Sequence, residues 1–385
     1  MRVLKNRRLW LAALLLVAAM VSFQVRVTRK MPDFEVYRTA ASRALAGEEL
    51  YRTEDGHWQF KYLPAFAFVA IPVALLPQPV ARAAWFGISI GLLIALLAVS
   101  ARQLPDPPAG GLPLALGRGA VVALTVVALG KFYAHELGLG QTNLLMALLV
   151  LLALARWREG HDGLAGVLFA AATVVKPYAV VFLPYLVFRR RWRMAGAFAG
   201  AIAAALLLPA LRYGFGGNAS LLAGWWTTVT TSTAPNLAAS DNISIAGMYA
   251  KWLGVGPLAS GLALATASLL LAAVAAMLMV RPRVEHPEYL DAGVLLTLIP
   301  LLSPQGWDYV LAGSTPAVML LVSRLRFFSA PARWLAVACL AVVGLTIFDL
   351  VGREAYRLFM TASVVTLCAL IEIALLARLR TTHTA

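Results

Sequence analysis

The chain has 385 residues, of which 61% are hydrophobic and 13% charged, a charged share about half that of soluble domains. An ordinary soluble enzyme and an intrinsically disordered chain are both excluded. The net charge of +15, from 33 Lys+Arg against 18 Asp+Glu, is spread between long apolar runs instead of forming a patch. Membrane lipids and anionic lipid substrates are therefore the expected partners, with no nucleic acid.

In chain order, Arg2, Lys5, Arg7 and Arg8 precede an apolar run at about 9–25 that lacks a small-residue cleavage site. It reads as an uncleaved first helix entering from the cytoplasm. Further apolar runs lie near 82–100, 114–134, 143–155, 162–175, 178–188, 194–210, 256–280, 289–302, 308–323, 332–349 and 357–377. On the rule of roughly 20 residues per span they predict about twelve transmembrane helices. The runs at 143–155, 162–175, 178–188 and 289–302 are short. They are expected to recruit polar ends, thin the bilayer, or stop in a protein-lined cavity.

The run 63–76 contains Pro64 and Pro72 and is followed by Pro77. It is expected to be a juxtamembrane or re-entrant helix that does not cross. That parity places both termini in the cytoplasm, with the basic segments 156–163, 189–193, 281–283, 323–326 and 378–380, and it preserves the positive-inside bias. Residues 1–385 then form one transmembrane domain. Its outer face takes a loop with juxtamembrane helices (26–81), a loop at 211–255, and turns near 135–142, 176–177, 303–308 and 350–356. Cys339 and Cys368 lie in apolar runs, which argues against a disulfide framework or zinc site.

No Walker A motif is present, the five His residues lack metal spacing, and Asp33-Phe34-Glu35 is only a near miss for Asp-x-Asp. Gly214–Ala219 (GFGGNA) loosely resembles a dinucleotide fingerprint but has no preceding strand, and it reads as a turn. The stretch 31–51 is more informative. An acid pair is followed by Phe34, Tyr37, Ala41 and Leu45 at near-helical spacing, which predicts a helix lying on the membrane with cations on its polar face. The plain alternative for Asp33 is a helix N-terminal charge.

Polar clusters gather on the same side. Gln141 and Asn143 open one helix, and Trp307, Asp308 and Tyr309 sit at a turn between spans. Asp241-Asn242-Ile243-Ser244 ends a Thr/Ser-rich loop and also fits an ordinary helix cap. Lys176 falls between two short apolar runs, where a cation must be paired, meet an anion, or snorkel to the interface.

Six segments in order carry a family resemblance. They are DFEVYRTAASRALAGEELY (33–51), FKYLPAFAF (60–68), GQTNLLMALLVLLALA (140–155), LAG with KPYAVVFLPYLVFRRRWR (164–193), DNISIAG (241–247) and LSPQGWDYV (302–310). Over about residues 10–325 the chain resembles glycosyltransferase family 87, the integral-membrane GT-C enzymes that are polyprenyl-phosphate-mannose-dependent α-mannosyltransferases. Members often carry Tyr-Pro-Pro where this chain has Tyr62-Leu63-Pro64, and a His where it has Tyr309.

The resemblance implies an all-α integral membrane protein of the plasma (inner) membrane, a polytopic GT-C-type bundle with outer juxtamembrane helices. It implies inverting transfer of a hexose, mannose in relatives, from a polyprenyl-phosphate donor to a lipid or glycan acceptor at the outer face. Asp33 is the implied catalytic carboxylate. Candidates for the donor phosphate are Lys61, Lys176, Arg38 and Arg29. Candidates for sugar or acceptor are Glu35, Tyr37, Gln141, Asn143, Asn242, Trp307, Asp308 and Tyr309. Side-chain cations can neutralise a single phosphate, so no metal and no other cofactor is expected.

A transporter or flippase would instead show pseudo-symmetric halves, and no repeat is visible. A ligase of lipid-linked glycans would favour a large outer loop rich in Arg and His. The 211–255 segment carries only Arg212 and Lys251, with no His.

Overall fold

A computed structural model describes residues 31–105, 117–284 and 286–381. The expected first helix at 9–25 and Arg29 lie outside the described residues.

Helix α1 (Pro32–Ala46) opens on a proline whose fixed φ suits a first helical turn. Asp33 and Glu35 occupy that turn, where the helix dipole favours acids. Phe34, Tyr37, Ala40, Ala41 and Ala44 form its buried stripe. The amphipathic face therefore packs on protein, and Leu45, expected on the same face, is 43% exposed. The polar face differs from expectation as well. Arg43 is paired with Asp55 at 2.5 and 2.8 Å, and Arg38 donates to Leu76 O at 3.2 Å.

The run 63–76 divides into α2 (Pro64–Val69) and α3 (Ile71–Ala74). At a rise of about 1.5 Å per residue, neither spans a hydrocarbon core of about 30 Å. Helices α4 (Gln78–Gln103) and α5 (Arg118–Leu139) are long and apolar enough to cross. Shorter α6 (Asn143–Arg158), α7 (Asp162–Val175) and α8 (Phe182–Phe188) follow.

The next helices are α9 (Trp192–Leu207), α10 (Ala210–Thr231), α11 (Ile245–Leu253), α12 (Pro257–Met279) and α13 (Pro287–Leu302). The chain closes with α14 (Thr315–Ser323), α15 (Ala330–Leu345), α16 (Phe348–Val351), α17 (Arg353–Thr361) and α18 (Val364–Thr381). The architecture is all-α. Among the described residues 3 helices qualify as spans by length and composition, or up to 5 if each bent pair counts as one. The pairs are α9 with α10, bent by 92°, and α17 with α18, bent by 54°.

The short expected runs have a physical explanation in α13. Tyr289 through Leu301 are all buried, and a helix apolar all round belongs inside a bundle. Its polar Asp291 is fully buried with Arg380 of α18 at 2.7 Å, and Tyr185 donates to it at 3.1 Å. Such a pair is stable only because it is mutually neutralised and hydrogen-bonded.

The segment 211–255, expected as a loop, is mostly helical. The turn expected at GFGGNA is reduced to a kink at Gly214 (φ 70°, ψ 171°) within α10. Leu221 is buried and Trp225 packs on the core. Thr230 and Thr231 return their hydroxyl protons to Trp226 O and Thr227 O, so the Thr-rich stretch is satisfied within a helix. The stretch 232–244 stays irregular apart from one short 3-10 turn at Ala234–Asn236, as do Gly254 and Val255 at the end of the segment.

Candidate active site

At one end of the bundle the N-terminus of α1, the 53–63 segment, and the turns after α5, α7, α10 and α13 meet around a cavity of about 690 Å³. Asp33, Lys61, Gln141, Lys176, Trp307 and Tyr309, all candidates from the sequence, line it together. Tyr62, His135, Asp241, Ser303 and Gln305 join them, with an aromatic rim that includes Trp58, Trp225 and Trp226.

Gln141 is the hub. It follows Gly140, whose φ of 73° ends α5, and a Cβ at Gly140 would come within 2.7 Å of Phe34 Cβ. The missing side chain lets this turn press against α1 next to Asp33. Gln141 Oε1 accepts from Lys176 Nζ at 2.8 Å, from Tyr37 OH at 3.1 Å and from Tyr62 OH at 3.2 Å. Its amide nitrogen donates to Tyr309 OH at 3.3 Å. Tyr37 OH and Tyr62 OH lie 2.6 Å apart, so at any moment one phenol proton bonds within the pair and the other reaches Gln141. Burial pushes both phenols well above their ordinary range, so they remain neutral donors.

Lys176 is buried, with 6% of its surface exposed. It does not snorkel, because the ammonium is fixed by Gln141 and by Tyr62 OH at 2.8 Å. These hydrogen-bond partners are neutral, and the carboxylates of Glu136 and Asp33 act on the ammonium through space. Lys61 occupies another part of the wall and donates to Gln305 Oε1 at 3.2 Å. Gln305 is itself held by Ser232 and Thr233. Burial lowers the Lys61 ammonium from its ordinary value, and the Asp33 carboxylate opposes that shift.

Asp33 is partly open to the cavity yet surrounded by protein. Burial raises its carboxyl above the usual range. A hydrogen bond from Gln141 and the charges of Lys176, Lys61 and His135 pull the other way. Asp241 is raised as well, by burial and then by neighbouring Asp308. His135 Nδ1 lies 3.2 Å from Asp308 Oδ1, so the buried Asp308 acts on the cavity through the imidazole.

The remaining residues singled out from sequence do not line the cavity. Glu35 pairs with Arg82 at 2.7 Å on another face of α1. Arg38 points to Leu76 O. Tyr37 lies beneath the cavity floor, bonded to Gln141. Asn143 is buried and donates to Glu136 Oε2 at 2.7 Å. Asn242 is fully buried and donates to the carbonyls of Asn236, Leu237 and Pro304, while its Oδ1 accepts from Ser244 N. It ties the 236–244 loop to the 303–308 turn. Ile243 N to Gly306 O at 2.7 Å and Asp308 N to Asp241 O at 3.1 Å reinforce that junction.

The sequence reasoning missed His57, Trp58, His135, Asp241, Trp225, Trp226 and Gln305 as cavity residues. Asp241 and Gln305 stood inside quoted motifs, and His135 is six residues before Gln141 on the same helix-to-turn junction. Nothing in the pattern marked the tryptophans.

Comparison with known families gives one finding. A family profile described as Glycosyltransferase family 87 matches residues 60–304. That range contains Lys61, Gln141, Lys176 and Asp241, while Asp33 and Trp307–Tyr309 fall outside it. No curated protein matches the chain significantly.

Proposed function

The chain belongs to glycosyltransferase family 87 and is a membrane glycosyltransferase, and from that premise we propose that it transfers a hexose, mannose by family resemblance, from a polyprenyl-phosphate donor to a lipid or glycan acceptor. The observation that carries this reading is one cavity wall bearing the Asp33 carboxylate with two ammonium groups, Lys61 and Lys176.

The division of labour follows from charge. Lys61 and Lys176 receive the donor phosphate, which two cations neutralise without a metal. The acceptor hydroxyl oxygen attacks the anomeric carbon as the bond from that carbon to the phosphate oxygen breaks. Asp33 takes the hydroxyl proton, and polyprenyl phosphate leaves with the bonding electrons. Attack opposite the phosphate inverts the anomeric centre. A carboxyl raised by burial is a better match for base work near neutral pH than an ordinary Asp. Trp225, Trp226 and Trp307 give the sugar and the first lipid units amphipathic walls.

The proposed setting is the outer face of the plasma membrane, with both termini in the cytoplasm. Positive-inside parity supports it. The test is transfer from polyprenyl-phosphate mannose by purified Asp33→Asn protein. A loss of roughly 10²–10⁴-fold is expected for a missing base. Near-wild-type turnover by well-folded variant would remove Asp33 from the mechanism.

A further inference from the structure

A second cavity, of about 330 Å³, lies against another flank of α1. Its size falls at the lower end of small-ligand sites, roughly 300–1,000 Å³. Glu35, Thr39 and Arg43 form its helical stripe at i, i+4 and i+8. At about 100° per residue that stripe stands roughly a quarter turn or more around the helix from Asp33. Val36 and Trp58 line both cavities, so the two adjoin through a shared wall at the first turns of α1.

The lining defines what fits. Arg43 spends both terminal nitrogens on Asp55, and Glu35 is paired with Arg82. The charges in this cavity are therefore compensated within the protein, leaving no cation reserved for a phosphate. Four charged or hydroxyl side chains make it unsuitable for a polyprenyl chain, whose burial there would strand polar groups. Carboxylate oxygens and the Thr39 hydroxyl remain able to bond to hydroxyls, and Trp58, 47% exposed, offers a flat apolar face.

We propose that this cavity is a subsite for a neutral pyranose ring of the acceptor, stacked on Trp58, with its reactive hydroxyl directed past Val36 to Asp33. The assignment of an acceptor rests on the transferase reading above. Occupancy by a neutral sugar does not depend on turnover and is measured by itself.

The experiment is saturation-transfer NMR on the full chain in lipid nanodiscs free of sugar detergents, with methyl α-D-mannopyranoside as probe and mannose 6-phosphate as the charged comparison. Wild type should transfer saturation to the neutral hexoside, Thr39→Ala should do so more weakly for want of its hydroxyl, and Thr39→Trp, which fills the cavity, should lose it. A Thr39→Cys variant gives a second readout. Its maleimide labelling should slow several-fold with the hexoside, since the native Cys339 and Cys368 are buried. Unchanged binding by Thr39→Trp together with unprotected labelling at position 39 overturns the subsite. Equal protection by mannose 6-phosphate overturns the neutral class. Hexoside binding at this cavity by a protein that transfers no sugar from polyprenyl-phosphate mannose sinks the proposed mannose donor and leaves the sugar site standing.

Discussion

The Lys176 ammonium donates to Gln141 Oε1 at 2.8 Å, while the amide nitrogen of the same glutamine is directed toward Asp33 and Tyr309. One neutral side chain thus separates the proposed phosphate-binding cation from the proposed base. If it were charged, it would compete with the phosphate. Gln141→Glu keeps an acceptor for Lys176, Tyr37 and Tyr62 but sets a second carboxylate where the amide faced Asp33 and Tyr309, so its melting temperature should fall at neutral pH. A charge-assisted pair with Lys176 is about twice as strong as the neutral bond it replaces. The donor KM should rise by roughly tenfold or more, equivalent to about 1.5 kcal/mol. Initial rates against donor concentration check this, and an unchanged KM would detach Lys176 from donor binding.

Asp33 sets the acid side of the pH profile. Burial raises its carboxyl, so the acid limb of kcat/KM should lie above the ordinary Asp value of about 3.9. The stability sign is opposite to that of a salt-bridged Asp. A raised folded-state pKa favours the protonated form, and this contribution is lost as pH climbs from the unfolded value through the folded one. Asp33→Asn should therefore melt no lower than wild type at neutral pH while losing activity. Melting curves at two pH values, alongside the rate profile, separate the two effects.

The alkaline side begins with Lys176, whose ammonium burial lowers to about 8, and continues with Lys61. Burial lowers its ammonium, so donor-dependent kcat/KM should fall at a pH below the ordinary lysine value of about 10.4. Lys61→Arg holds a charge that does not titrate in this range. It should narrow the alkaline limb to the Lys176 titration near 8 while retaining part of the activity. Lys61→Met should lose donor binding across the whole range. An alkaline limb identical in wild type and Lys61→Arg would remove Lys61 from it.

Asn242 is a structural residue by its contacts. Asn242→Ala removes the donor for three carbonyls and the acceptor for Ser244 N. Leaving a buried polar group unpaired costs about 1–3 kcal/mol. The variant should melt several degrees lower, with its remaining folded fraction keeping a donor KM near wild type. A large KM change with unaltered melting would instead put Asn242 in contact with substrate.

The sequence by itself determined the material and the gathering of polar motifs. Apolar runs with few charges can only be helices in lipid or inside a bundle. Proline at 32 and 64 and glycine at 47 and 140 mark helix ends from local backbone chemistry alone. Asp33, Lys61, Gln141, Lys176, Trp307 and Tyr309, widely separated along the chain, were legible as candidates from the polar clusters and the family resemblance, but those signals did not separate them from Glu35, Asn143, Asn242 or Asp308.

Tertiary structure decided which charges are free to act. Arg38, Arg43, Arg52 and Lys61 look alike along residues 38–61. Arg43 is taken by Asp55, Arg52 by Glu48 and Arg38 by a carbonyl, and only Lys61 of these four lines the larger cavity. Long flexible cations find partners by three-dimensional proximity, which spacing does not encode. The same reason turned Glu35, Asn143 and Asn242 away from the larger cavity and brought His135, Asp241 and the tryptophans to it. Burial fixed the rest, since the environments of Asp33 and Lys61 are made by residues more than a hundred positions away, Gln141 and Lys176 around the first and Gln305 beside the second.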